Sequence, residues 1–180
     1  LLKGETTGRY LMAITNASFY HSTAGTPTIY RDGEIATTLL RDGEWHHYAA
    51  VGVNMSTWPT VSLGNYPSFH VHGSFEGLRI WNTALTQEQV RMIASGNNDI
   101  NQEAPRALWK FDEAVGNIAT DLSGNGNDAI ISGASWSTGR SIYSVDSKEK
   151  GVLIEEGTTN EIVAPDFSSF SGYGAFEISQ

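Results

Sequence analysis

Cysteine is absent from this chain. No disulfide can staple the fold, so stability has to come from a hydrophobic core, and the redox compartment is left open. Basic residues are scarce: 11 Lys and Arg stand against 20 Asp and Glu, a formal net charge of -9 over 180 residues. Binding to a phosphate backbone needs clustered Lys and Arg, so no nucleic acid is expected as a partner. Long apolar runs are also missing. None approaches the roughly 20 residues that a helix needs to cross a bilayer, so no membrane insertion is expected. The chain opens on Leu1-Leu2 with no Met and no signal peptide, and the expectation is that an upstream part precedes it.

What is present is the composition of a turn-rich β protein. Glycine occurs 19 times, only 17% of residues are charged, and Thr, Ser and Asn are scattered throughout. The length allows one real core, and one main domain is expected. Tyr10 to Ile14, Ser18 to His21, Pro27 to Arg31, Ile35 to Leu40, Trp45 to Val53, Thr60 to Leu63 and Phe69 to Trp81 read as strands. Arg31-Asp32-Gly33-Glu34 and Arg41-Asp42-Gly43-Glu44 both contain Asp-Gly, the strongest short hairpin signal, so two hairpins are expected.

Helical periodicity is strong once, within Gly73 to Gly96. Thr86 followed three residues later by Gln89 is a capping box, so a helix is expected over about 86–95. Leu85, Val90, Ile93 and Ala94 can form its apolar stripe, with Gln87, Glu88 and Arg91 facing water and Gly96 ending it. Beyond a polar connection, Ala107 to Asp112 reads as a strand, Asp121 to Asn127 as a tight loop and Asp128 to Gly133 as a strand. From Gly139 the pattern fades; residues 140 to 180 hold three basic and seven acidic residues, with periodicity only at Gly151 to Ile154. The expected organisation is a main unit over 1–138, its opening strands missing or supplied elsewhere, and a linker with the start of a further module over 139–180.

Trp45-His46-His47-Tyr48-Ala49-Ala50-Val51, with Gly73 to Asn82, Ala84-Leu85-Thr86 and the short helix, resembles the second half of a laminin-G-like, concanavalin A-like jelly roll; pentraxins are similar. Ala107 to Glu113 and Asp121 to Asn127 resemble another phrase of that family. Residues 107 to 133 either return to complete the sandwich or begin a tandem copy. The resemblance implies an all-β, antiparallel two-sheet jelly-roll sandwich with one short helix. Gly151 to Asn160, followed by Phe167, resembles a phrase of bacteriophage tail and fibre proteins. That resemblance, with the lack of disulfides, implies a bacterial or viral source and an extracellular place on a virion tail or cell surface. Other fibre subunits are implied as partners, a homotrimer among the arrangements.

Catalytic patterns are not evident. Glycosidases of this fold carry Glu-x-Asp-x-Glu on one strand, acid and nucleophile about 5–5.5 Å apart. Here the carboxylate pairs, Asp112-Glu113 and Glu155-Glu156, are adjacent and would point to opposite faces. No Gly-x-Ser-x-Gly elbow or phosphate loop appears, so no enzyme is expected. Sugar recognition uses an aromatic platform with amides beside it, because C–H faces stack on rings while hydroxyls need directed partners. Trp58, in a loop, is the first candidate, with Asn65 and Tyr66 second; Trp45, Trp81 and Trp109 are assigned to the core. Asp121, Asn125, Asn127 and Asp128 crowd oxygens into one loop, which is either a calcium site or an Asx-rich turn bonded to itself. His70-Val71-His72 puts two imidazoles on one strand face, for a transition metal or as plain surface. Of His46-His47, one is assigned to the core with a hydrogen-bond partner and the other to the outside. The expected function is a non-catalytic glycan-binding or adhesion module, with a fibre spacer and an accessory module of a polysaccharide-degrading enzyme as alternatives. Its expected ligand is a cell-surface polysaccharide.

Overall fold

The structure is a computed structural model, and it describes residues 2–4, 10–12, 14–15, 18–19, 26–38, 42–55, 61–63, 73–97, 104–138, 150–154, 161–164 and 173–179. Up to the helix run β1 (Leu2–Gly4), β2 (Tyr10–Met12), β3 (Ile14–Thr15), β4 (Ser18–Phe19), β5 (Thr28–Arg31), β6 (Glu34–Ile35), β7 (His47–Asn54), β8 (Val61–Leu63) and β9 (Gly73–Trp81). Helix α1 spans Gln87–Ala94. After it come β10 (Ala107–Trp109), β11 (Ile118–Ala119), β12 (Ala129–Ser132), β13 (Ser135–Thr138), β14 (Lys150–Ile154), β15 (Glu161–Ala164) and β16 (Tyr173–Ser179). The described chain is therefore mostly strand with one short helix, as an all-β composition requires.

Every described pairing is antiparallel. One sheet has six strands in the order β11-β12-β15-β8-β1-β2, and a second has eight in the order β13-β14-β9-β16-β7-β5-β6, with β10 also on β9. Strands β3 and β4 form a separate two-stranded ladder. Strand β9 organises the larger sheet: its first residues pair with β14, its last with β10, and β16 lies along its other edge. Residues 107–109 thus pair with the strand that precedes the helix.

Within the segment expected to be a linker and the start of a further module, strands β14, β15 and β16 hydrogen-bond to β9, β8 and β7. Strand β16 fits its two neighbours through bulges. Its register against β7 shifts at Gly174/Ala175, opposite Gly52, and its register against β9 shifts at Ile178/Ser179, opposite Gly77. Both glycines have positive φ, 87° and 77°, so each supplies the extra residue of a bulge that a side-chain-bearing residue would resist.

The first Asp-Gly hairpin forms as expected. Asp32 and Gly33 both have positive φ, 52° and 84°, the conformation that suits a two-residue turn between twisted strands, and Arg31 pairs with Glu34. A Cβ on Gly33 would stand 2.9 Å from Arg91 Cγ, so this turn also lets the helix approach. The second Asp-Gly does not join neighbours in the sheet, because β5 lies between β6 and β7. Instead Asp42 accepts from the Glu44 amide at 3.0 Å, a local Asx turn. Strand β10 stops at Trp109 rather than Asp112, because buried Phe111 has φ 57°, outside the extended region.

Helix α1 follows its sequence signal closely. The Thr86 hydroxyl accepts from the Gln89 amide at 3.3 Å, and the Thr86 amide donates to Gln89 Oε1 at 2.7 Å. At the other end Gly96 N–H reaches Ile93 O and Asn97 N–H reaches Met92 O, the paired bonds of a Schellman closure. Leu85, Val90 and Ile93 are buried against Tyr30 of β5, Ala49 of β7 and Trp81 of β9. Burying each such aliphatic side chain contributes about 1.5–3 kcal/mol, so the helix is held chiefly by this face. Outside it, Arg91 donates to Glu34 at 2.8 and 3.1 Å and ties the helix to the first turn.

Candidate functional site

The loop that follows Ala119 is built around one carboxylate. Asp121 is 7% exposed, and its Oδ1 accepts from the amides of Leu108 and Ser123 at 3.0 and 2.9 Å. Its Oδ2 accepts from the Asn127 amide and from Asn127 Nδ2, both at 2.9 Å, with Ser123 Oγ at 2.8 Å. Burial opposes the charge on Asp121, but the hydrogen bonds from Leu108, Ser123 and Asn127 outweigh it and hold the carboxyl below its ordinary value. The Arg106 carbonyl is a second hub, accepting from Asn125 Nδ2 at 3.1 Å and Asn127 Nδ2 at 3.0 Å. Short-range Asx and Ser geometry makes such a loop possible, and the two glycines Gly124 and Gly126 turn it with positive φ.

The four residues singled out for calcium are therefore brought together, and three of them, Asp121, Asn125 and Asp128, have a side-chain oxygen engaged by a donor. Asp121 spends both oxygens on N–H and O–H groups, Asp128 Oδ1 accepts from the Asp121 amide at 2.8 Å, and Asn125 Oδ1 accepts from the Arg106 guanidinium at 3.0 Å. A cation here would compete with those donors and sit close to the Arg106 guanidinium. Among the described residues, no three acidic or histidine side chains group to hold a metal ion. Thermal melting with calcium and with chelator is expected to give one midpoint; a higher midpoint with calcium would show that the ion wins over the donors.

Trp58, Asn65 and Tyr66 lie outside the described residues, as do His70, His72, Glu155 and Glu156. Trp81 and Trp109 are 2% and 1% exposed, core as expected, and Trp45 is half-buried. Of the adjacent acids, Asp112 is exposed, whereas Glu113 Oε1 accepts from the Thr120 amide at 2.6 Å and shapes the same loop.

Beside the loop the structure holds a feature that the sequence did not point to. Trp81-Asn82-Thr83 at the end of β9, Ala104-Pro105-Arg106 before β10, and Ser123 and Asn125 line a hollow of about 340 Å³. That is the small end of the range for ligand pockets. Trp81 is too buried to offer a stacking face, so the hollow presents amides, hydroxyls and one guanidinium. Asn82 Oδ1 is shielded from solvent and has no hydrogen-bond partner among the described residues. Such a wall can exchange directed hydrogen bonds with a polyhydroxylated ligand. The available clue was the polar Asn82-Thr83 placed directly after an apolar strand.

His47 is buried, and half-buried His46 is held between two carboxylates: Nδ1 is 2.8 Å from Asp32 Oδ2, and Nε2 is 3.1 Å from Asp42 Oδ2. The same Asp32 accepts from the His47 amide at 2.9 Å. Sequence reasoning missed this clamp, although both aspartates precede a glycine in the two Asp-Gly turns.

Set against known protein families, curated proteins and solved structures, the chain matches none of them.

Proposed function

We propose that this chain is a non-catalytic glycan-binding or adhesion module of a larger phage tail, fibre or bacterial surface protein, on a two-sheet jelly-roll sandwich of the laminin-G-like kind. The observation that carries it is the polar hollow beside the 121–128 loop, whose amides and hydroxyls suit sugar hydroxyls. Two extended antiparallel sheets and one capped helix accord with the sandwich. The aromatic platform is assigned to Trp58, with Asn65 and Tyr66 near it in sequence. The ligand class is a cell-surface polysaccharide, met outside the cell, and the other partners are subunits of the same fibre, a homotrimer included. A glycan array probed with the wild-type chain, Trp58→Ala and Thr83→Trp tests the proposal, since Thr83 is exposed and a tryptophan there fills the hollow from its rim.

A second proposal, a structural spacer that binds nothing small, has one observation in its favour. Ile118 and Ile130 stand opposite each other on β11 and β12 and are 51% and 56% exposed, an apolar pair suited to a neighbouring subunit.

A further inference from the structure

The contacts of His46 join two turns that the backbone leaves apart. Asp32 belongs to the tight turn between β5 and β6, and it is anchored twice: its amide donates to the His47 carbonyl at 2.8 Å, and its Oδ1 accepts from the His47 amide. Asp42 belongs to the exposed 42–44 segment, where its only other described contact is the Asx bond from the Glu44 amide. A neutral imidazole has one N–H, so it can donate to only one of the two carboxylates. Both contacts are hydrogen bonds only when the ring carries its second proton. Without that proton, a ring nitrogen lone pair faces a carboxylate oxygen on one side.

We propose that His46 is a proton-operated latch, holding the 42–44 segment against the β5–β6 turn when doubly protonated and releasing it when the proton leaves for solvent. The arm that opens is the Asp42 arm, because Asp32 is fixed by its bonds to His47 and keeps the remaining ring N–H. Among the described residues, the other charged or titratable groups around the ring are Arg31, whose Nε lies 3.9 Å from Asp32 Oδ2, Glu44 within the segment, the adjoining His47, and Tyr48, whose ring centroid is 6.1 Å from that of His46. Arg31 competes mildly for Asp32 and so weakens neither contact to Asp42. Partial burial works against a charged ring here, but hydrogen bonds to Asp32 and Asp42 prevail and raise the histidine above its ordinary value. A group raised in the folded state contributes stability that is present in full below the ordinary histidine value and is lost as pH rises through the raised one. The latch is therefore closed between the carboxylate range and an ordinary histidine value, and opens on the alkaline side of the latter.

NMR on the whole chain tests this by following the His46 ring and the Glu44 amide together through a pH titration. The expected result is that the Glu44 amide resonance shifts with the same midpoint at which His46 loses its proton, while the His47 amide keeps its exchange protection. Asp42→Asn, which retains the oxygen that caps Glu44, is expected to move the His46 midpoint downward and to uncouple Glu44 from it. A His46 titration that leaves the Glu44 amide unchanged, or an Asp42→Asn midpoint equal to the wild type's, would overturn the latch. Neither outcome bears on glycan binding.

Discussion

Asp121→Ala is expected to lower the unfolding free energy by about 3 kcal/mol or more, read from urea denaturation. The side chain is buried, and its loss leaves the amides of Leu108, Ser123 and Asn127 facing no acceptor. Each buried polar group left unsatisfied costs about 1–3 kcal/mol, and domains of this size hold only about 5–15 kcal/mol in all. Asp121→Asn separates charge from shape: it keeps one acceptor oxygen but turns an NH₂ toward N–H groups, so a smaller though definite loss is expected. The sign of the pH dependence follows from the lowered carboxyl. Stability from Asp121 is present above the ordinary carboxylate value and is lost as pH falls through the depressed folded one. An Asp121→Ala chain whose denaturation midpoint stays at the wild-type position would mean that the loop is not held by this carboxylate.

Trp109→Ala is expected to be as damaging, about 3–5 kcal/mol for loss of a buried tryptophan. Trp109 pairs in register with Leu78 of β9, is 1% exposed, and donates its indole N–H to the Asn127 carbonyl at 2.9 Å. It therefore supports the same loop from the core side that Asp121 supports from within. Trp109→Phe keeps an aromatic filling but removes the donor, so its cost is expected to be the smaller of the two. Since both residues act on Asn127, the double variant Asp121→Ala with Trp109→Phe should cost less than the sum of the singles. Strict additivity in that cycle would contradict a shared support.

The parts legible in the sequence are those whose partners are close by along the chain. Thr86 and Gln89 are three residues apart, and the cap forms as the pattern requires. Asp32-Gly33 is likewise a local turn with local consequences. Strand β16 was not legible, because its partners β9 and β7 both lie far upstream in the sequence, β7 the farther, and it needs two bulges to pair with them. Its alternating Phe176 and Ile178 are too short a signal to stand out within an acidic stretch. The 121–128 loop lies between these cases. Its wealth of oxygen and amide groups was plain, but whether they turn toward a cation or toward N–H groups depends on Leu108 N–H and the Arg106 carbonyl, which arrive from before β10 and along it. The hollow was missed for the same reason, since Asn82 and Asn125 meet only through tertiary structure. The two roles of Asp32 and Asp42 show the limit of a local signal: Asp-Gly specified the turns, while His46 joined them.

Binding to a panel of cell-surface polysaccharides on a glycan array tests the central claim most directly. The expected result is retention of at least one polysaccharide by the wild-type chain, with loss of signal in Trp58→Ala and in Thr83→Trp while both variants keep the wild-type melting midpoint. Retention that is indifferent to both substitutions would remove the two assigned sites, and no retention of any polysaccharide would contradict the glycan-binding function itself.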